Sequence, residues 1–94
     1  MPGARILLLG GGAVGARAAR QLVEADDVAR VYVADPDGAR RANVVKSTGD
    51  KARDGGADGD AAKGRIDGVL LAGPVGTHVD AAREHLAKGR AVVS

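Results

Sequence analysis

Short apolar runs alternate along the chain with segments whose apolar residues recur at helical spacing. Apolar runs bounded by turn residues predict strands buried in a parallel sheet, at Arg5–Leu9, Arg30–Ala34, Val69–Ala72 and Ala91–Val93. Apolar positions three and four residues apart predict helices over Ala13–Ala25 and Thr77–Lys88. This alternation predicts an open parallel α/β sheet with right-handed crossovers, in a single domain that spans residues 1–94.

The middle of the chain is less regular. Ala39–Val45 fits a short helix, but Asn43–Ser47 could instead form a brief strand. The next segment, Gly49–Arg65, is rich in glycine and aspartate and has no side chain larger than alanine to place in a core. Because such a segment cannot offset its ordering entropy by apolar burial, we predict a flexible loop. We therefore expect a truncated sheet whose third strand is weak or absent.

The first predicted strand runs directly into a glycine cluster. Gly10, Gly12 and Gly15 stand in the G-x-G-x-x-G register, at the start of the first predicted helix. In this motif the first glycine permits a tight turn, the second lets a pyrophosphate approach the backbone, and the third lets the helix pack close to the sheet. The phosphates then meet free N–H groups and the positive end of the helix dipole. The motif predicts a Rossmann-type dinucleotide site, and the alternative is a small-residue turn that has lost its ligand.

Asp35 ends the second predicted strand, about 20 residues after the glycine cluster, where a dinucleotide-binding domain places the acid that binds the adenosine ribose. Its charge would repel a 2′-phosphate, so the sequence favours NAD. Arg40 and Arg41 follow closely and could hold such a phosphate, which leaves NADP open. Alternatively, Asp35 is a turn residue before Pro36, and both arginines belong to a solvated face.

Two histidines follow the third predicted strand. Ligands of open α/β sheets bind outside the carboxyl ends of the strands, where Gly73, Pro74 and His78 fall. His78 could line the site, or it could be a solvated or capping residue at the start of a helix. We expect His85, in the middle of that helix among polar neighbours, to be exposed to solvent. We expect no catalytic residue in the chain.

Composition excludes several other classes of function. The chain has no cysteine and a formal net charge of +2, and its basic residues are not clustered, so we expect no nucleic-acid partner. No apolar stretch approaches the roughly 20 residues of a membrane span, and we expect a cytoplasmic protein without a membrane partner. The aspartates of Gly49–Arg65 do not match a calcium-loop spacing, and we expect no metal site.

Three stretches resemble a known family: I-L-L-L-G-G-G-A-V-G, V-Y-V-A-D and V-L-L-A-G-P-V-G-T-H-V-D-A-A-R-E-H-L-A-K-G-R-A-V-V-S. They are similar to the N-terminal dinucleotide domain of glucose–fructose oxidoreductase and inositol dehydrogenase-type enzymes, and to saccharopine dehydrogenase-like proteins. The resemblance covers Arg5–Asp35 and Asp67–Ser94. It implies that Gly10–Gly15, including Ala13 and Val14, bind the pyrophosphate, that Asp35 binds the ribose, and that Ala72–His78 line the nicotinamide pocket.

In glucose–fructose oxidoreductase-type members, a Glu-Lys-Pro segment with a catalytic lysine and a substrate domain follow the last strand, and this chain ends at Ser94, before both. We therefore expect the cofactor half of an oxidoreductase, with catalysis supplied by a second domain or chain. The alternatives are a non-catalytic module that senses a dinucleotide and a degenerate fragment without a ligand. Exposed edges of a short sheet also favour pairing with another copy of the chain.

Overall fold

A computed structural model describes residues 3–62, 64–73 and 78–93. Within these ranges the strands form one parallel sheet in the order β3-β2-β1-β4-β5. The strands are β1 (Ala4–Leu9), β2 (Val28–Ala34), β3 (Ala52–Asp54), β4 (Gly68–Leu71) and β5 (Ala91–Val93). The helices are α1 (Ala13–Glu24), α2 (Gly38–Thr48) and α3 (His78–Ala87). The predicted open parallel α/β sheet is confirmed, and Thr77, where the last predicted helix begins, lies outside the described residues.

The central strand β1 is buried on both faces of the sheet. Leu8 packs with residues of α1 and α2 on one face, and Leu7 packs on the other face with a cluster that includes residues of α3. The side chains of both leucines are fully buried. The chain thus leaves β1 towards one face and leaves β4, its neighbour, towards the other, which opens a crevice at the carboxyl ends of these two strands.

The ambiguous segment after Asp35 is a helix, and the alternative strand at Asn43–Ser47 is wrong. Asp37 caps α2, because its Oδ1 accepts hydrogen bonds from the N–H groups of Ala39 and Arg40 at 3.0 and 3.1 Å. Val44 is the buried residue of this helix and joins the core beneath α1. The Asp37 cap and the packing of Val44, with Val45 against the same cluster, favour the helix where the periodicity was indecisive.

The third strand is present and short, in agreement with the expected weak strand, and the prediction of a loop over all of Gly49–Arg65 is wrong at Ala52–Asp54. This strand pairs with β2 from Val31↔Ala52 to Val33↔Asp54. Backbone pairing with β2 needs no large side chain, and the small side chain of Ala52 is buried in this strand. Lys51 fixes the entry to the strand by donating from Nζ to the carbonyl of Ala25 at 3.0 Å. The flexibility of the rest of the segment stays a prediction.

The connection from β3 to β4 contains no helix in its described parts, residues 55–62 and 64–67. It crosses the face of the sheet that α3 also covers, and Gly59 lies directly on the side chain of Leu7. Gly59 has a φ of +97°, and an added Cβ would lie 2.8 Å from Leu7 Cδ2. Ile66 is buried in the same cluster as Leu7. A thin loop therefore covers this part of the core and leaves open space between itself and α3.

Replacing Gly15 by alanine should destabilise the fold strongly. The new Cβ would lie 1.8 Å from the carbonyl oxygen of Gly10. This clash involves the backbone of both residues, so it can be relieved only by moving α1 away from β1. We expect a loss of about 3 kcal/mol or more in the free energy of unfolding, measured by urea denaturation. The matched control is Gly12→Ala, because nothing lies within 4 Å of the Cβ position at Gly12. Equal stability of the two variants would contradict this account of the turn.

Candidate functional site

The glycine turn joins β1 to α1 and leaves one end of the helix open. Gly10 has a φ of +120°, and a Cβ there would lie 2.6 Å from the backbone nitrogen of Gly73, so this position requires glycine for the fold. Gly12 is the N-cap of α1 and supplies no side-chain hydrogen bond to the helix. The space beside Gly12 is open. The first N–H groups of α1 therefore face a vacant cradle that an anion can enter.

Asp35 lies beside the same cradle, at the end of β2. The residue is only 5% exposed, and its carboxylate accepts hydrogen bonds from the N–H of Gly11 to Oδ2 at 2.7 Å and from the N–H of Asp37 to Oδ1 at 2.8 Å. Burial raises the pKa of this carboxyl, but the two hydrogen bonds and the charges of Arg40 and Arg41 outweigh it, so the pKa lies below its usual value. Asp35 is thus ionised at neutral pH and can accept further hydrogen bonds from the hydroxyls of a ribose.

The two arginines after Asp35 have different surroundings. Arg40 has a side chain that is 54% exposed, with Nη1 3.7 Å from Asp35 Oδ2, so it can turn towards a ligand at the cradle. Arg41 is only 20% exposed: its Nη1 donates to the carbonyl of Asp35 at 2.7 Å and its Nε lies 2.7 Å from Asp54 Oδ1. The solvated-face interpretation is therefore wrong for Arg41, which ties the end of β2 to the end of β3.

His78 connects the start of α3 to the end of β4. Its Nε2 lies 2.8 Å from the carbonyl oxygen of Gly73, so Nε2 carries a proton and donates it. Gly73 in turn approaches Gly10 closely, which places the end of β4 beside the glycine turn. Pro74, the third predicted residue of this stretch, lies outside the described residues.

One cleft of about 620 Å³ brings most of these residues together. Its walls include the predicted site residues Gly10, Gly12, Asp35, Arg40, Gly73 and His78. Ala13 borders a second, more open groove between α1 and α2, which Gly12 and Arg40 also line. Val14 and Gly15 line neither space, because the side chain of Val14 is exposed and Gly15 is buried behind the turn. Any contact of these two residues with a ligand would therefore be through backbone.

The same cleft has a wall that sequence reasoning missed. Ala57 and Asp58 line it from the loop after β3, and Ala81, Glu84 and His85 line it from α3. The expectation that His85 is exposed is wrong, since only 3% of its surface is accessible. Its Nδ1 lies 2.8 Å from Arg90 Nη1. Helical spacing could have revealed this position, because His85 follows Ala81 by four residues and His78 by seven and so shares their face of the helix.

Within the described ranges, no group of three or more acidic, histidine or cysteine residues could hold a metal ion. The same ranges contain no helix with both the length and the apolarity to cross a membrane.

A glycine turn at a helix N-terminus, an ionised carboxylate at the end of the next strand and a cleft at the switch point of a parallel sheet together define a dinucleotide-binding domain of the Rossmann type. Residues 4–94 match the oxidoreductase family described as having an NAD-binding Rossmann fold, GFO/IDH/MocA. The chain belongs to this family, and the predicted resemblance to it is confirmed. It is an NAD-binding domain of an oxidoreductase family.

Two solved structures show the same fold. A myo-inositol dehydrogenase from Corynebacterium glutamicum ATCC 13032 is 26% identical with a TM-score of 0.79, over 96% of this chain and 27% of that enzyme. GenD2 from gentamicin A biosynthesis, solved in complex with NAD, is 25% identical with a TM-score of 0.82, over 98% of this chain and 26% of GenD2. This chain thus spans about a quarter of the length of either protein. No curated protein matches the sequence significantly.

Stability should fall between pH 7.5 and pH 5.5 because of His85. Burial and the charge of Arg90 lower the pKa of His85, Lys88 lowers it further and Glu84 opposes them, so the folded chain binds this proton less readily than the unfolded chain, whose pKa is about 6.5. The free energy of unfolding then falls as pH drops through that value, by up to about 1.4 kcal/mol per pH unit. Asp35, with a pKa below its usual value, does not titrate in this window.

The variant His85→Asn isolates this effect, because asparagine can accept from Arg90 but does not titrate. Urea unfolding at the two pH values should show a smaller loss of stability for the variant than for the unaltered chain. An equal loss in both would mean that another group is responsible.

Proposed function

We propose that this chain forms the cofactor-binding part of an NAD-dependent oxidoreductase, with Gly12 and Asp35 as its main contacts to the dinucleotide. The observation that carries the proposal is the open cradle between them. The Cβ position of Gly12 meets no atom within 4 Å, and the Asp35 carboxylate lies on the same cleft. A pyrophosphate at Gly12 would meet the uncapped N–H groups of α1, including those of Ala13, Val14 and Gly15. The intact cradle disfavours a degenerate fragment.

The other residues of the cleft divide between the two ends of the cofactor. The ionised Asp35 would accept hydrogen bonds from the adenosine ribose, and its charge favours NAD over NADP. Gly73, Pro74 and His78 would form the wall on the nicotinamide side; for Pro74 this rests on the sequence alone. His78 holds the backbone of Gly73 in place through Nε2. Bound NAD supplies the hydride acceptor, and these residues bind and orient it.

Catalysis would then depend on groups outside this domain. The two similar proteins are nearly four times as long as the part of each that matches this chain. We infer that a second domain or chain contributes the substrate site. The non-catalytic sensing module remains the alternative, and the His78 contact disfavours it because a sensor needs no ordered wall on the nicotinamide side. The cytoplasmic location and the likeness to saccharopine dehydrogenase-like proteins stay predictions.

A homo-oligomer is also part of the proposal. Strand β5 forms one edge of the sheet, and Val93 on this strand has 62% of its surface exposed. An unpaired edge with an exposed apolar side chain is a site where another chain can add. The described residues do not identify the substrate.

Thermal unfolding with and without NADH tests the proposed cradle. A ligand that binds only the folded chain stabilises it by about 2.7 kcal/mol at a hundredfold excess over its Kd. We expect this gain for the unaltered chain and its loss in Gly12→Val, because the valine side chain would fill the space for the pyrophosphate. Gly38→Ala is the matched control, since its Cβ would only reach ordinary contact with Arg41 Nη2 at 3.7 Å. An undiminished gain in Gly12→Val would place the binding site elsewhere.

Cofactor choice tests the role of Asp35. The variant Asp35→Asn keeps an oxygen acceptor but removes the charge that repels a 2′-phosphate, so the preference for NADH over NADPH should fall roughly tenfold, or about 1.4 kcal/mol. The measurement is the ratio of the two Kd values by fluorescence titration. Adding Arg40→Ala to this variant should weaken NADPH binding and leave NADH binding unchanged. A constant ratio in Asp35→Asn would show that Asp35 only shapes the turn.

A further inference from the structure

His85 is a buried polar residue in the wall of the cofactor cleft. Its side chain borders the cleft, although only 3% of the residue is exposed. Nδ1 lies 2.8 Å from Nη1 of Arg90, and a guanidinium group only donates hydrogen bonds. Nδ1 must therefore be the acceptor, and in the neutral ring the proton is on Nε2. The contact with Arg90 thus fixes both the tautomer and the orientation of the ring.

The donor end of the ring is left without a partner. In the described part of the chain, Nε2 of His85 makes no hydrogen bond. Nε2 of His85 is not a fully buried atom, so the small exposed part of the residue leaves this nitrogen accessible from the cleft. An N–H at such a position is satisfied by water or by a ligand. Since Nδ1 is engaged by Arg90 and the ring borders the cleft, Nε2–H is available to whatever enters the cleft.

The position of the cleft indicates which part of the cofactor meets His85. The pyrophosphate cradle lies at α1, which covers one face of the sheet, whereas α3 and the loop that carries Ala57 and Asp58 lie on the other face. The ribose bound by Asp35 is that of the adenosine half. Asp35 lines the same cleft as Asp58 and His85, so a base attached to a ribose at Asp35 can enter the space between Asp58 and α3. This space exists because a thin loop, and no helix, precedes β4 in the described residues.

We propose that His85 donates a hydrogen bond from Nε2 to a ring nitrogen of the adenine base, with Arg90 as the positioning residue that presents this donor. The proposal rests on the proposed function, since it assigns a base contact within the same cleft. The ring nitrogens N1, N3 and N7 of adenine are acceptors, so a neutral histidine with its proton on Nε2 has the matching chemistry. His85 thereby contributes to recognition of the base.

Two variants of His85 separate this role from a purely structural one. His85→Asn places an oxygen acceptor where Nδ1 stands and keeps the Arg90 contact, but it removes the donor to the base. His85→Gln places an amide N–H near the Nε2 position and keeps the donor, but it loses the acceptor for Arg90. Calorimetric titration with NAD and with AMP should show a 3- to 10-fold weaker Kd in the Asn variant and a smaller change in the Gln variant. A structural role predicts the opposite order.

Nitrogen-15 NMR of the histidine rings gives an independent measurement. In the unaltered chain the signals of His85, assigned by their loss in His85→Asn, should show the proton on Nε2, and the Nε2 signal should shift when AMP is added. Binding of NAD and AMP with an unmoved Nε2 signal, or an Asn variant that binds as tightly as the unaltered chain, would overturn the role of His85 and leave the proposed function intact. Absence of binding by the unaltered chain would overturn both.

Discussion

The close approach of Gly15 to the carbonyl of Gly10 sets the geometry on which the site depends. A side-chain carbon at Gly15 would lie 1.8 Å from that oxygen, so α1 begins as near to β1 as the backbone allows. This proximity positions the first N–H groups of the helix over the carboxyl end of the central strand. Gly10 also approaches Gly73 closely, since a Cβ at Gly10 would lie 2.6 Å from the backbone nitrogen of Gly73, and the end of β4 therefore lies beside the same turn. The proposed phosphate cradle and the proposed nicotinamide wall thus both depend on close backbone contacts at the glycine turn.

Asp35 couples this constraint to the second strand. Its carboxylate accepts from the N–H of Gly11 within the turn and from the N–H of Asp37 at the cap of α2. The same group that would bind a ribose therefore also fixes the distance between two loops. The ionised carboxylate of Asp35 therefore has a structural role in the free protein as well as a proposed role in the complex, because the backbone N–H groups stabilise its charged form. Arg41 extends the network to β3 through Asp54.

The sequence predicts what depends on local pattern and misses what depends on contacts between distant segments. The glycine spacing, the acid at Asp35 and the strand and helix order follow from periodicity and turn chemistry. Strand β3 has a weak signal of its own, because Ala52–Asp54 is ordered by pairing with β2. The burial of His85 depends on the chain turning back after Gly89, where its φ of +77° lets Arg90 return to the ring. Because the sequence neighbours of His85 are polar, the local pattern predicts an exposed residue and gives no indication of the contact between His85 and Arg90.

The thin loop before β4 links stability to binding. On the face of the sheet that this loop crosses, Gly59, and no helix in the described residues, covers Leu7. The space the loop leaves is the cleft, whose walls include the buried polar groups of Asp35 and His85. A ligand that hydrogen-bonds both groups would replace water in the cleft and satisfy donors and acceptors that the chain leaves free. Binding free energy would then add directly to a small folding free energy, so the cofactor would act as a structural part of the domain.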